Sequence, residues 1–131
     1  MGVSFLLDTH CVAWVLGDPS RLPPEVVERL GDSSNEALVS AASAIEASTM
    51  TRLGRWDLSA MVEAWSARLS EVGMIEIAID TSDALLAGSL PGEHRDPFDR
   101  LLVAQAIRRN AVLVTVDRTI LALPGVRTLT W

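Results

Sequence analysis

The chain contains no lysine: all 11 of its basic residues are arginine, set against 17 acidic residues. A receiver-type phosphoryl-transfer protein, which uses a lysine to meet its phosphate, is therefore disfavoured. The single cysteine, Cys11, excludes an internal disulfide and any multi-cysteine zinc site. We read it as a small buried apolar residue rather than a nucleophile. Two histidines, His10 and His94, cannot build a three-histidine zinc site, although one can assist a site made of carboxylates. No apolar run approaches the ~20 residues needed to cross a bilayer. Met1-Gly2-Val3-Ser4-Phe5 also lacks the basic start and long apolar stretch of a signal peptide. A cytoplasmic protein with no membrane partner is expected. A glycine-rich phosphate loop, a Ser-His-Asp arrangement, internal repeats and low-complexity segments are absent too.

What is present is 131 residues, 49% of them hydrophobic, enough to bury the core of one domain spanning residues 1–131. Val3–Leu7, Ala37–Val39, Ile75–Ile79, Val112–Val116 and Val126–Leu129 read as strands. Helical patterns fill His10–Leu16, Glu25–Leu30, Ala42–Leu53, Leu58–Val72, Thr81–Leu90 and Phe98–Arg109. Gly31, Gly54, Gly73 and Asn110 stand where helices should close. Strands separated by helices, with no tight hairpin signal, predict an α/β fold with a parallel sheet covered on both faces.

The stretch His94-Arg95-Asp96-Pro97-Phe98-Asp99-Arg100-Leu101-Leu102-Val103-Ala104-Gln105-Ala106 dominates the chain. Asp96-Pro97 reads as an N-cap followed by the first helical residue, since proline has no N–H to leave unsatisfied there. Asp99 then shares a helical face with Leu102, Val103 and Ala106, so it points inward. An inward carboxylate needs a cation or hydrogen bonds to compensate it, unless it merely complements the helix dipole.

In parallel α/β sheets, ligands bind beyond the carboxyl ends of the strands. Asp8 follows the first strand, Glu46 lies in the helix after the second, Asp117 follows the Val112–Val116 strand, and Asp99 opens its own helix. Each has a second reading: Asp8 as a helix cap, Glu46 as the far member of a capping box with Ser43, Asp117 as a cap or turn residue. Asp96 reads first as a cap and second as a ligand. Asp80 and Asp83 read as helix-start residues. Carboxylates crowded together repel one another, and a hard divalent cation resolves the conflict. All-oxygen donors favour Mg²⁺ or Mn²⁺, which can activate a water against a phosphodiester. Two such ions would take the formal charge from −6 to −2, so the acidic total is compatible with a nucleic-acid substrate.

Leu6-Leu7-Asp8-Thr9-His10, Ser40 to Glu46, His94 to Ala106 and Leu113-Val114-Thr115-Val116-Asp117 together resemble the successive motifs of PIN-domain ribonucleases. The resemblance is nearest to VapC-type toxins of bacterial toxin–antitoxin pairs and covers nearly the whole chain in order. It implies a PIN-like, Rossmann-like α/β/α three-layer sandwich and Mg²⁺- or Mn²⁺-dependent endoribonuclease activity. It also implies Asp8, Glu46, Asp99 and Asp117 as the catalytic, metal-binding quartet. Thr9, Asp96, Arg100 and Thr115 are implied as supporting residues. RNA substrate, a homodimer and silencing by a cognate VapB-type antitoxin follow from the same resemblance. The alternative is a catalytically inactive PIN-like interaction module. A haloacid-dehalogenase-like phosphatase would want an aspartate where His10 stands.

Arg95, Arg100 and Arg118 are candidate phosphate contacts, with solvated surface as the competing reading. Trp14, Trp56, Met61 and Trp65 are read as core or as a partner surface.

Overall fold

A computed structural model describes residues 2–131. Five parallel strands form one sheet: β1 (Ser4–Leu7), β2 (Glu36–Ser40), β3 (Ile75–Ile77), β4 (Val112–Val114) and β5 (Arg127–Leu129), in the spatial order β3-β2-β1-β4-β5. Register follows from pairings such as Leu6 with Leu38 on one side and with Leu113 on the other. β1 is therefore the central strand, and the chain crosses over it between β3 and β4. Such an order creates a crevice where the winding reverses, beyond the carboxyl ends of β1, β2 and β4.

Both faces of the sheet are buried, as parallel pairing requires. Phe5 and Leu7 of β1 point to one face with Val39 and Val114, against Cys11, Val12, Val26 and Leu69. Leu6 points to the other with Leu38 and Leu113, against Leu102, Val103, Ala106 and Ile120. This period-two alternation makes three layers, with α1 (Thr9–Gly17), α2 (Pro24–Gly31) and α5 (Trp65–Glu71) on the first face. On the second lie α7 (Pro97–Arg108) and the start of α3 (Ala41–Arg52), with α6 (Thr81–Ser89) packed on α7. Each fully buried Leu or Val here contributes roughly 1.5–3 kcal/mol. Among the described residues, no helix is long and apolar enough to cross a membrane.

Four sequence expectations need adjustment. Leu58–Val72 is two helices, α4 (Ser59–Glu63) and α5, because Ala64 leaves the helical region at φ −123°, ψ 31°. The break lets Met61 join a small cluster with Ala13 and Ala47, while Leu69 faces the sheet. The strands β3 and β4 stop at Ile77 and Val114, two residues early, because their partner strands end alongside them. A short helix, α8 (Arg118–Leu121), not among the expected helices, follows Asp117 and makes it a cap rather than a turn residue. Gly31 is the last residue of α2 rather than its closing residue. Gly54 and Gly73 do close helices with left-handed φ of 70° and 76°, as does Asn110 at 51°.

Candidate metal-binding site

The acids reach the crevice because the elements carrying them all start at the carboxyl rim of the sheet. Asp8 leaves β1 as the N-cap of α1: its Oδ1 accepts from the Cys11 N–H at 2.8 Å. Its Oδ2 accepts from the Thr115 hydroxyl at 2.5 Å. Thr115 Oγ1 in turn accepts from the Asp117 N–H at 3.0 Å, so one buried hydroxyl ties the ends of β1 and β4 together. Asp117 caps α8, its Oδ1 taking the Thr119 N–H at 2.9 Å and the Thr119 hydroxyl at 2.6 Å. Burial works against its ionisation, but these donors and the Ile120 N–H hold its carboxyl below the usual range.

Glu46 lies on the second turn of α3. That helix starts at Ala41 with Ser40 as its cap, too early for a Ser43–Glu46 capping box, so the carboxylate is left for the crevice. Thr9 Oγ1 lies 3.1 Å from Ser43 Oγ, and Thr9 favours the ionised form of the Glu46 carboxyl. Burial raises the Glu46 carboxyl, aided by Asp96 and Asp8 and opposed by Thr9 and His10.

Asp96 caps α7 as expected, with Oδ1 accepting from the Phe98 N–H at 2.9 Å and the Asp99 N–H at 3.3 Å. It is also part of the acidic centre. Glu46, Asp96 and Asp99 each offer an oxygen, and these atoms lie within 4.8 Å of one another. Asp99 is buried and 2.7 Å from His94 Nε2. Burial, with the charges of Asp96, Glu46 and Asp117, pushes the Asp99 carboxyl up to about 6 despite the His94 contact. Asp8 and Asp117 flank the trio, each close enough to raise one of its carboxyls.

The sequence therefore named every acid in the crevice, but ranked Asp96 below the position it takes. The sequence left open which histidine assists the carboxylates; the structure makes His94 the direct neighbour of Asp99. Its spacing of five from Asp99 across a Pro-capped turn is the only sequence signal for that contact. Ser43, three residues before Glu46 on the same helical face, was read only as a cap. Arg100 turns away from the crevice: Nε donates to the Ala87 carbonyl, Nη1 to the His94 carbonyl and Nη2 to the Leu90 carbonyl. It straps the segment before α7 and so supports the acids by holding their backbone. Arg95 and Arg118 are exposed. Cys11 is buried, with its thiol pushed far up by burial and by Asp8. Asp83 is buried outside the crevice, paired with Arg108 at 2.6 Å and closing a capping box with Asp80.

The donor set fits a hard divalent cation. It is all oxygen, three donors already converge, and two of the carboxyls are raised, by burial first and by neighbouring acids second.

Known proteins share the fold and the sequence pattern of this chain. The family model of the PIN domain matches residues 5–126. The Mycobacterium tuberculosis protein named Ribonuclease VapC22 is 34% identical over 117 residues, 86% of either chain. In the Rickettsia felis VapBC2 complex bound to a promoter DNA fragment, one chain superposes with a TM-score of 0.73 at 18% identity. The match covers 98% of this chain and 99% of that one. The DNA-bound VapBC of Salmonella typhimurium gives a TM-score of 0.70 at 22% identity, covering 98% of both chains.

Proposed function

Since the chain belongs to the PIN-domain family, we propose that it is an Mg²⁺- or Mn²⁺-dependent endoribonuclease. In the cytoplasm it acts as the toxin of a type II toxin–antitoxin pair. The observation that carries this reading is the convergence of Glu46, Asp96 and Asp99 within 4.8 Å, flanked by Asp8 and Asp117. A curated relative named as a ribonuclease, and VapBC complexes of the same fold, support the activity and a VapB-type antitoxin partner. A homodimer belongs to the same proposal.

Glu46, Asp99 and Asp96 would hold the cation, with Asp8 and Asp117 at its margin. When bound, the cation supplies Lewis acidity toward water and the scissile phosphate, and neutralises charge that developing anions would otherwise meet. The protein's own groups fix the geometry. Thr115 and the Cys11 N–H lock both oxygens of Asp8, and Thr119 locks Asp117. With Asp99 ionised, His94 Nε2–H must donate to its Oδ2, since a carboxylate only accepts. His94 is thereby placed to hold or pass a proton at that atom.

The test incubates pure protein with RNA and Mg²⁺ or Mn²⁺, with and without chelator, beside Asp8→Asn and Glu46→Gln. Cleavage that needs metal and falls by at least a hundredfold in both variants is expected. Equal cleavage by the variants would place the activity elsewhere. Absence of cleavage with any metal, alongside intact protein-partner binding, would leave the inactive interaction module.

A further inference from the structure

A second concavity opens beside the acids and has no part in the chemistry above. His10, the residue after Thr9, is exposed on its wall, tilted over Trp56 with ring centroids 4.8 Å apart. Its edge meets Trp14 at 6.1 Å. Both tryptophans are half-buried: each packs in part on a core cluster, Trp14 also lies 6.2 Å from the Trp131 ring, and each leaves part of its ring on the pocket wall. The Arg21 guanidinium lies 5.9 Å from the Trp14 ring and pairs with Asp18 at 3.2 Å. With Leu58, these residues enclose about 400 Å³, within the range of about 300–1,000 Å³ typical of small-molecule sites.

We propose that this aromatic pocket receives one unstacked nucleobase of the RNA substrate, next to the phosphodiester held at the acids. The inference rests on the ribonuclease reading and names where that activity gains its grip on single-stranded RNA.

The pocket neighbours the reaction site through His10, which lines its wall. His10 is two residues from Asp8, and it acts electrostatically on the Glu46 carboxylate. A nucleotide covalently attached to the cleaved phosphate can therefore reach it. Its chemistry suits a base better than a phosphate. The Asp18–Arg21 pair carries no net charge, whereas the wall is built of two indoles and an imidazole set edge-on and tilted to one another. Proteins that read unpaired RNA stack splayed bases on such aromatic and guanidinium planes. Asp18 and Arg21 add an acceptor and a donor at the rim, where a base edge would lie. Trp56 and His10 are thus binding contacts for substrate, while bond cleavage stays with the acids.

The experiment uses two arms. In the first, binding of a short single-stranded RNA is measured in Mg²⁺ on a cleavage-defective Asp99→Asn background. An abasic position is walked along the RNA. One abasic position should weaken binding roughly 5- to 150-fold, the span of a lost base stack. Trp56→Leu should weaken intact RNA similarly, but show no further loss with that abasic RNA. Trp56→Phe, which keeps a ring and guards against misfolding, should stay within about threefold of Trp56, and His10→Ala should fall between. The salt dependence of binding should not change, because no phosphate contact is removed. In the second arm, cleavage by the Asp99-intact Trp56→Leu and His10→Ala proteins should show raised KM with little change in kcat.

Equal binding of abasic RNA at every position, additive losses, or pocket variants that lose only a protein partner would overturn the proposal. In those cases cleavage by the unmodified protein would still stand. Failure of that protein to cleave RNA under any metal would instead remove the ribonuclease reading and this inference with it.

Discussion

Thr115 donates its hydroxyl to Asp8 across 107 residues of sequence, at 2.5 Å, while accepting the Asp117 N–H at 3.0 Å. A single buried oxygen thus links two acids that follow neighbouring strands. Replacing Thr115 with Val keeps the shape and removes both bonds. One buried carboxylate oxygen and one N–H lose their partner, which should cost about 1–3 kcal/mol. Urea denaturation should show that loss, RNA cleavage should drop at least tenfold, and Thr115→Ser should recover most of both. Unchanged stability and activity in Thr115→Val would reduce the bridge to an incidental contact.

Asp99 makes the metal-free protein less stable near neutral pH. Its folded-state carboxyl is raised to about 6 by burial and neighbouring acids, so between about pH 4 and pH 6 the folded protein holds a proton that the unfolded chain releases. As pH rises through that window this group's contribution falls, by roughly 3 kcal/mol in all. Asp99→Asn should therefore raise the Tm of metal-free protein at pH 7, give little difference at pH 4, and abolish cleavage. Thermal melts in chelator across that range decide it. An Asn variant less stable than wild type at pH 7 would contradict the crowding of these acids.

Asp83 should behave with the opposite sign. Burial opposes its ionisation, but Arg108, the Asp80 N–H and Gln105 outweigh that and hold its carboxyl below the ordinary range. Its contribution is present above the unfolded value and lost as pH falls through the folded one. Asp83→Ala leaves the Asp80 N–H and the buried Gln105 amide without this partner, while Arg108 keeps Asp80, and should destabilise by about 1–3 kcal/mol. Cleavage measured well below the lowered Tm should remain near wild type, since Asp83 faces α7 away from the crevice.

Arg100 should act through backbone order. Its three carbonyl acceptors span Ala87 to His94. Arg100→Ala should cost about 1–3 kcal/mol and weaken metal binding by loosening the segment that carries His94 and Asp96. The salt dependence of RNA binding should stay as in wild type, whereas Arg118→Ala tests a direct phosphate contact by lowering that slope by about one.

Much of this was readable before folding. Asp96-Pro97 marked the start of α7, alternation placed Phe5 and Leu7 opposite Leu6, and a parallel sheet sent Asp8 and Asp117 to one rim. What escaped was three-dimensional. Asp96 belongs with Glu46 and Asp99 through a distance that spans α3 and α7, and no spacing rule predicts it. The break at Ala64 arises because Met61 and Leu69 serve different clusters, a tertiary choice that overrides a continuous helical pattern. The cap readings weighed for Asp8, Asp96 and Asp117 hold, since each caps a helix through one carboxylate oxygen.

The most direct test is calorimetric titration of Mg²⁺ or Mn²⁺ into the metal-free protein at pH 6, in two buffers of different ionisation enthalpy. The expected result is saturable binding with release of part of a proton from Asp99, weakened at least tenfold in Glu46→Gln and in Asp99→Asn. Binding that is absent in the folded wild type, or identical in both variants, would contradict a cation held among these acids.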